Sequence, residues 1–231
     1  MSLDPAVAAV RNAVRRALAD VGREPVLVAC SGGADSLALL AATVFEARRH
    51  QAHVVGVTVD HGLQDGSAEH AARVVEQMAA LGADETVSVR VRVEAGGQGP
   101  EAAAREARYA VLEEVAGRFG SGVVLLGHTL DDQAETVLLG LARGSGARSL
   151  AGMRRSFPPY RRPLLDVTRA QTTAACAAAG IDVWLDPQNE DARFTRARVR
   201  HRVLPVLEQE LGPGVAASLA PIGRASCRER V

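Results

Sequence analysis

The feature that most constrains the fold is an alternation along the chain. Residues 26–30 (Val26-Leu27-Val28-Ala29-Cys30) are wholly apolar, which suits a strand buried on both faces. An amphipathic helix precedes this run and ends near Gly22. After it the spacing predicts a helix over 37–49, a strand over 53–59, a helix over 67–81 and a strand over 86–93. A Gly-rich break then precedes a helix over about 101–119, a strand over 123–126 and a helix over 131–142. Strands alternating with helices of this length form βαβ units. The expected fold class is therefore α/β, an open, mainly parallel sheet with helices on both faces and right-handed crossovers.

Past Arg143 the texture changes. Residues 143–163 read as a long Arg- and Gly-containing loop, and a loop of that length is usually functional or disordered. A helix over 168–179, a short edge strand over 181–184 and an Arg-rich helix over 195–210 follow, with Pro205 marking a kink or a break. These form a small helical extension that Gly212-Pro213-Gly214 stops. One domain over 1–212 is expected. The tail, residues 213–231, ends in a stretch from Ile222 without apolar periodicity, which reads as read-through or a cloning remnant and takes Cys227 with it.

Composition excludes some chemistry. All 27 basic residues are arginine, so a Walker-A loop, a kinase-type phosphate-pairing lysine and a lysine Schiff base are impossible. The zero net charge is segregated: residues 1–135 carry 12 Arg against 19 acids, and residues 136–231 carry 15 Arg against 8. The basic half invites a polyanion, although a solvated Arg-rich loop accounts for the count equally well. Three scattered cysteines make neither a disulfide framework nor a zinc cluster, and Cys30 and Cys176 suit buried positions. No window reaches a membrane span and the N-terminus lacks a signal-peptide core, so the expected localisation is cytoplasmic.

The strongest local signal is Ser31-Gly32-Gly33-Ala34-Asp35-Ser36, set between a buried strand and a helix. Two glycines let backbone approach phosphate, and free N–H groups at a helix start favour an anion. Asp35 repels phosphate but suits a Mg²⁺ ion that bridges phosphates. A plain turn with Asp35 or Ser36 as N-cap is the alternative. Asp131, Asp132 and Glu135 share the first turn of a later helix. Asp132 and Glu135 are the functional candidates, with Thr129 as N-cap and Asp131 as the capping-turn acid.

The loop resembles the SGGxDS pyrophosphate loop of the N-type ATP pyrophosphatases, the PP-loop superfamily. Four further segments are similar to the tRNA(Ile)-lysidine synthase family. They are Val59-Asp60-His61-Gly62-Leu63, Ala104-Arg105 to Arg108-Tyr109, Gly127-His128 to Glu135-Thr136, and Arg143-Gly144-Ser145-Gly146. A fifth stretch, Asp186 to Arg200, resembles the family's DPSN…F.RNxxR pattern but has Gln188 for serine and Ala197 for asparagine.

The resemblance implies a Rossmann-like adenine nucleotide α-hydrolase fold and an enzyme that uses ATP and Mg²⁺. The wobble cytidine of tRNA(Ile) with a CAU anticodon would be adenylated at O2. Free L-lysine would then displace AMP to give lysidine. It assigns Asp35 (also the metal ligand), Arg105, Asp132 and Glu135 to catalysis. ATP would be bound by Cys30, Ser31, Gly32, Gly33, Ala34, Asp35, Ser36, Val59 and His61, the last only as pocket lining. Arg143, Arg148, Arg196 and Arg200 are expected to meet tRNA phosphate. Family members continue into a C-terminal domain, so the chain reads as the catalytic N-terminal part. A dimer is compatible with the sequence and not required by it. Two rivals are a PP-loop tRNA thiolase, which needs a CxxC where Pro100 to Ala104 stand, and a non-catalytic ATP-binding module.

Overall fold

The computed structural model describes residues 3–62, 66–91, 100–144, 150–184 and 193–228. Helix α1 (Pro5–Ala17) starts at Asp4, whose carboxylate accepts from the Ala6 and Val7 N–H groups. The alternation then unfolds as β1 (Val26–Ala29), α2 (Ala34–Ala47), β2 (Val54–Asp60), α3 (Ser67–Ala80), β3 (Glu85–Arg90), α4 (Pro100–Phe119), β4 (Val123–Leu125) and α5 (Leu130–Ala142). The strand order is β3-β2-β1-β4-β6-β5, with β1 to β4 parallel. After β3 the chain returns across β1 and places β4 on its other side. The crevice between the carboxyl ends of β1 and β4 is thus the topological switch point, where open α/β sheets bind ligands.

Both faces of the sheet are covered, as the continuous apolar runs require. On one face Val26 and Val28 pack with Val10, Val14 and Leu18 of the N-terminal helix region, Leu37 and Leu40 of α2, and Val74 and Met78 of α3. On the other, Leu27, Val55, Val57 and Val124 pack against Val111, Leu112 and Val115 of α4. Fully burying side chains of this size stabilises by about 1.5–3 kcal/mol each.

Several expectations need correction. Helix α2 begins at Ala34 with Gly33 as N-cap, three residues before the expected start, so neither Asp35 nor Ser36 caps it. The connection over 143–163 holds a hairpin, β5 (Ser156–Phe157) antiparallel to β6 (Tyr160–Arg161), and β6 extends the parallel sheet beside β4. A 3₁₀ turn (Pro163–Asp166) leads to α6 (Arg169–Ala178). Residues 181–184 form no strand; the Trp184 N–H goes to the Gly32 carbonyl instead of a sheet edge.

The Arg-rich helix is divided before Pro205 rather than at it. Helix α7 (Thr195–Arg198) passes through a π turn (Val199–Val203) into α8 (Leu204–Leu211), whose first turn accommodates the proline's missing N–H. The tail set aside above is helical: α9 (Val215–Arg228) packs on α5 and α8, and Ala220 is fully buried. Val215, Leu219 and Ile222 recur at helical spacing in it, and the alanines between them are the strongest helix formers.

Candidate active site

The loop after β1 is built so that its own groups tie its shape. Gly32 has φ +83°, a conformation that excludes most side chains. Ser36 Oγ donates to the Gly33 carbonyl at 2.9 Å and accepts from Ser31 N–H at 3.1 Å. Gly33 offers α2 no side-chain cap, which leaves the helix's first N–H groups for an anion. Asp35, in the first turn, accepts from Thr172 Oγ and lies 3.7 Å from Arg169 Nε. Burial, the largest effect, and the nearby Asp132 charge push its pKa up to about 6.

The second half of the site comes from the β4–α5 junction. A Cβ on Gly127 would stand 3.2 Å from the Asp35 carbonyl and the Ser36 nitrogen, so the junction rests on the start of α2. Thr129 caps α5 in a reciprocal box whose acid is Asp132: Thr129 N–H donates to Asp132 Oδ2 at 2.8 Å. The expected capping acid, Asp131, instead accepts from Arg169 N–H at 2.7 Å. Asp132 turns its other oxygen to Arg169 at 2.8 Å and Arg200 at 3.3 Å. Burial alone would raise Asp132; Arg169, the Thr129 N–H and Arg200 outweigh it and hold the carboxyl below the usual range.

Glu135 is fully buried and bound by both sides of one guanidinium, Arg200 Nε at 2.8 Å and Nη2 at 3.1 Å. Arg169 lies at 3.4 Å and Arg196 at 4.0 Å from the same carboxylate. Three carboxylates therefore face three guanidiniums. Arg196 and Arg200 were expected as a solvent-facing row for tRNA phosphate; their guanidiniums turn to the acids because a buried Glu135 needs compensation.

A separate cationic group flanks this cluster. Arg105 lies 5.1 Å over the Tyr109 ring and Arg108 at 6.0 Å, and neither has a carboxylate within 4 Å among the described residues. Arg162, only 3% exposed, donates to the Tyr109 hydroxyl at 3.0 Å and to His128 Nδ1 at 3.2 Å. Burial, with Arg162, Arg108 and Arg105, pushes His128 down to about 3, so the ring is neutral with its proton on Nε2. His61 is lowered by burial and Arg108, and its Nδ1 is buried without a partner among the described residues. Cys30 is buried and Val59 half-buried at the same carboxyl edge of the sheet.

Arg143 closes α5 as its C-cap, about 20 Å from the Thr129 cap at 1.5 Å per residue. Arg148, Ser145, Gly146, Leu63 and the stretch from Asp186 to Ala192 lie outside the described residues. Sequence reasoning missed Arg169, Thr172, His128 and Arg162. One local signal existed: Arg169 is the first residue of α6, where a cation opposes the helix dipole unless acids receive it.

A glycine-rich anion loop and a carboxylate turn meeting at the switch point of a parallel sheet define an ATP-handling α/β protein. The sequence profile of the PP-loop domain matches residues 7–207. Two relatives named tRNA(Ile)-lysidine synthase are similar to most of the chain. That of Salinispora arenicola is 56% identical over 96% of this chain and 68% of its own length, and that of Thermobifida fusca 57% over 94% and 67%. The chain belongs to the tRNA(Ile)-lysidine synthase family of PP-loop proteins, and it spans about two thirds of those relatives' length. Among solved structures, the U34-tRNA thiolase NcsA of Methanococcus maripaludis superposes with a TM-score of 0.78 at 19% identity, covering 98% of this chain and 80% of that one. The last likeness is one of fold.

Proposed function

We propose that the chain converts the wobble cytidine of tRNA(Ile) with a CAU anticodon to lysidine, using ATP and free L-lysine. The observation that carries the reading is the meeting of the Gly32-Gly33 loop with Asp35, Asp132 and Glu135 in a chain more than half identical to relatives of that name. In the first step cytidine O2 attacks the α-phosphorus and pyrophosphate leaves. The loop's N–H groups suit the leaving pyrophosphate, and Arg105 and Arg108, without carboxylate partners among the described residues, suit the charge on the transferring phosphate.

Asp35 fits a divalent cation. Its raised pKa reports a buried carboxyl short of positive charge, and Mg²⁺ takes one or two carboxylates and fills its shell with phosphate oxygens and water. When bound, the ion would be held by Asp35 and would supply positive charge to neutralise the phosphates.

In the second step the ε-amine of lysine attacks C2 and AMP leaves. A free amine of pKa about 10.4 must lose a proton first; Asp132 and Glu135, already paired with arginines, suit holding the ammonium rather than taking that proton, which passes to solvent. Because Arg169, Arg196 and Arg200 already balance the acids, the substrate ammonium exchanges with a guanidinium rather than entering an unbalanced site. The target base lies in a single-stranded loop and can be splayed into the pocket. Arg143 and Arg148 remain the proposed contacts to tRNA phosphate. Thiolation is disfavoured by chemistry: Cys176 is pushed up to about 11 by burial and Asp35, and Cys30 is raised by burial, so neither is a ready thiolate.

The test is ATP–pyrophosphate exchange that requires cytidine-34 tRNA and Mg²⁺, followed by lysine-dependent AMP release and labelled lysine in tRNA. Labelled sulfur entering tRNA without labelled lysine would overturn the reading.

A further inference from the structure

The back of the anion loop is held by residues that the proposed chemistry does not use. Helix α3 presents His70, Val74 and Gln77 on one face. His70 Nε2 lies 3.0 Å from the Ser31 carbonyl, and a carbonyl only accepts, so Nε2–H is the donor. A Cβ on Gly32 would stand 2.8 Å from Val74 Cγ2 and 2.9 Å from His70 Cε1, so α3 packs directly on the loop. The segment after α6 closes over this contact. The Trp184 ring stacks on His70 with centroids 3.6 Å apart, the Trp184 backbone N–H donates to the Gly32 carbonyl at 3.2 Å, and Gln77 Nε2 donates to the Asp182 carbonyl at 2.7 Å.

These contacts aim the loop's donors. In a trans peptide the C=O and the following N–H point in opposite directions, and both peptides here are trans. Holding the Ser31 carbonyl toward α3 turns Gly32 N–H away from α3. Holding the Gly32 carbonyl toward Trp184 turns Gly33 N–H away likewise. Gly33 N–H has no acceptor among the described residues, and Gly32 N–H meets only the weakly accepting Cys30 sulfur. We propose that His70 and Trp184 form a clamp that presets the Gly32 and Gly33 N–H groups for the leaving pyrophosphate, making His70 a positioning residue that acts through the Ser31 carbonyl. The proposal rests on the reading that this loop binds the phosphates of ATP.

The test compares His70→Phe, which keeps a ring against Trp184 but loses the donor, with His70→Gln, which restores a donor near Nε2. The probes are Mg²⁺-pyrophosphate binding by calorimetry and steady-state exchange kinetics on the 231-residue chain. His70→Phe is expected to weaken pyrophosphate binding and to lower the exchange rate at saturating ATP about tenfold, a fraction of the loss when such a donor is removed outright. The KM for lysine and the melting temperature should hold, and His70→Gln should recover to within about threefold of the parent. Pyrophosphate binding unchanged in His70→Phe, or a His70→Gln variant as impaired as His70→Phe, overturns the clamp. If His70→Phe does not fold, Trp184→Ala, which keeps the backbone donor and removes the ring that holds His70, carries the test, and parental pyrophosphate affinity in it overturns the proposal. Parent protein that binds pyrophosphate through this clamp yet leaves tRNA unmodified refutes the proposed function alone; parent protein that binds no pyrophosphate refutes both.

Discussion

Asp35 sits where ionisation is unfavourable, and that has two measurable consequences. Its folded pKa of about 6 exceeds the ordinary value of 3.8 because burial and Asp132 outweigh the Thr172 hydrogen bond, Arg169 and Arg200. A raised acid stabilises the fold fully below pH 3.8, and that contribution is lost as pH rises through 6. Asp35→Asn is therefore expected to stabilise the protein at pH 7 by about 2 kcal/mol, measured by denaturant unfolding, while abolishing pyrophosphate exchange. On the proposed role of Asp35 as a metal ligand, the same ionisation gates metal affinity. Calorimetry with Mg²⁺ or Mn²⁺ should show binding that weakens about tenfold per unit below pH 6 and levels above it; flat affinity from pH 5 to 7.5 would remove Asp35 from the metal site. Asp35, Asp132 and Glu135 were legible in the sequence because each lies in a contiguous motif at the end of a strand. Their partners were not. Thr172 lies 137 positions from Asp35, and Arg200 lies 65 from Glu135, so only the folded chain brings them together.

At the scale of elements, the stretch running from α7 through the π turn into α8 changes meaning once Arg200 is seen on Glu135. An arginine reserved for RNA phosphate leaves no trace in stability when removed. An arginine that compensates a fully buried carboxylate does. Arg200→Met should therefore destabilise the chain by about 2–3 kcal/mol in urea unfolding, less than a wholly orphaned charge because Arg169 stays 3.4 Å from Glu135. No change in midpoint would return Arg200 to the RNA surface. Helix α9 makes a parallel point. Its Val215, Leu219 and Ile222 stand at helical spacing, but the internal Pro221 hid the pattern; the helix packs on α5 and Ala220 is fully buried. Truncation after Leu211 should lower the melting temperature by several degrees, as expected when about 1–2 kcal/mol of packing is lost; an unchanged transition would restore the view of a dispensable tail. The β-α-β core was legible because buried parallel strands have an unmistakable apolar run. The β5–β6 hairpin was not, because each strand has two residues and shows no period.

Across the whole molecule, part of the split between an acidic and a basic half is satisfied inside the protein. Arg169, Arg196 and Arg200 from the basic half bind Asp35, Asp132 and Glu135 of the acidic half, and Arg161 binds Asp20. Fewer arginines than the 15 in residues 136–231 are then free to meet RNA, and the salt dependence of binding counts them. Each phosphate neutralised contributes about 0.7–0.9 to the slope of log affinity against log salt. The tRNA slope of the parent chain should thus fall short of 15 contacts. Arg143→Ala, at the exposed end of α5, should reduce it by about one contact and leave ATP affinity intact, whereas Arg200→Met should leave the slope unchanged. If filter binding across a salt series shows the reverse, with Arg200 carrying a unit of slope and Arg143 none, the guanidinium at Glu135 leaves the acids when tRNA binds, and the charge segregation serves RNA rather than the site.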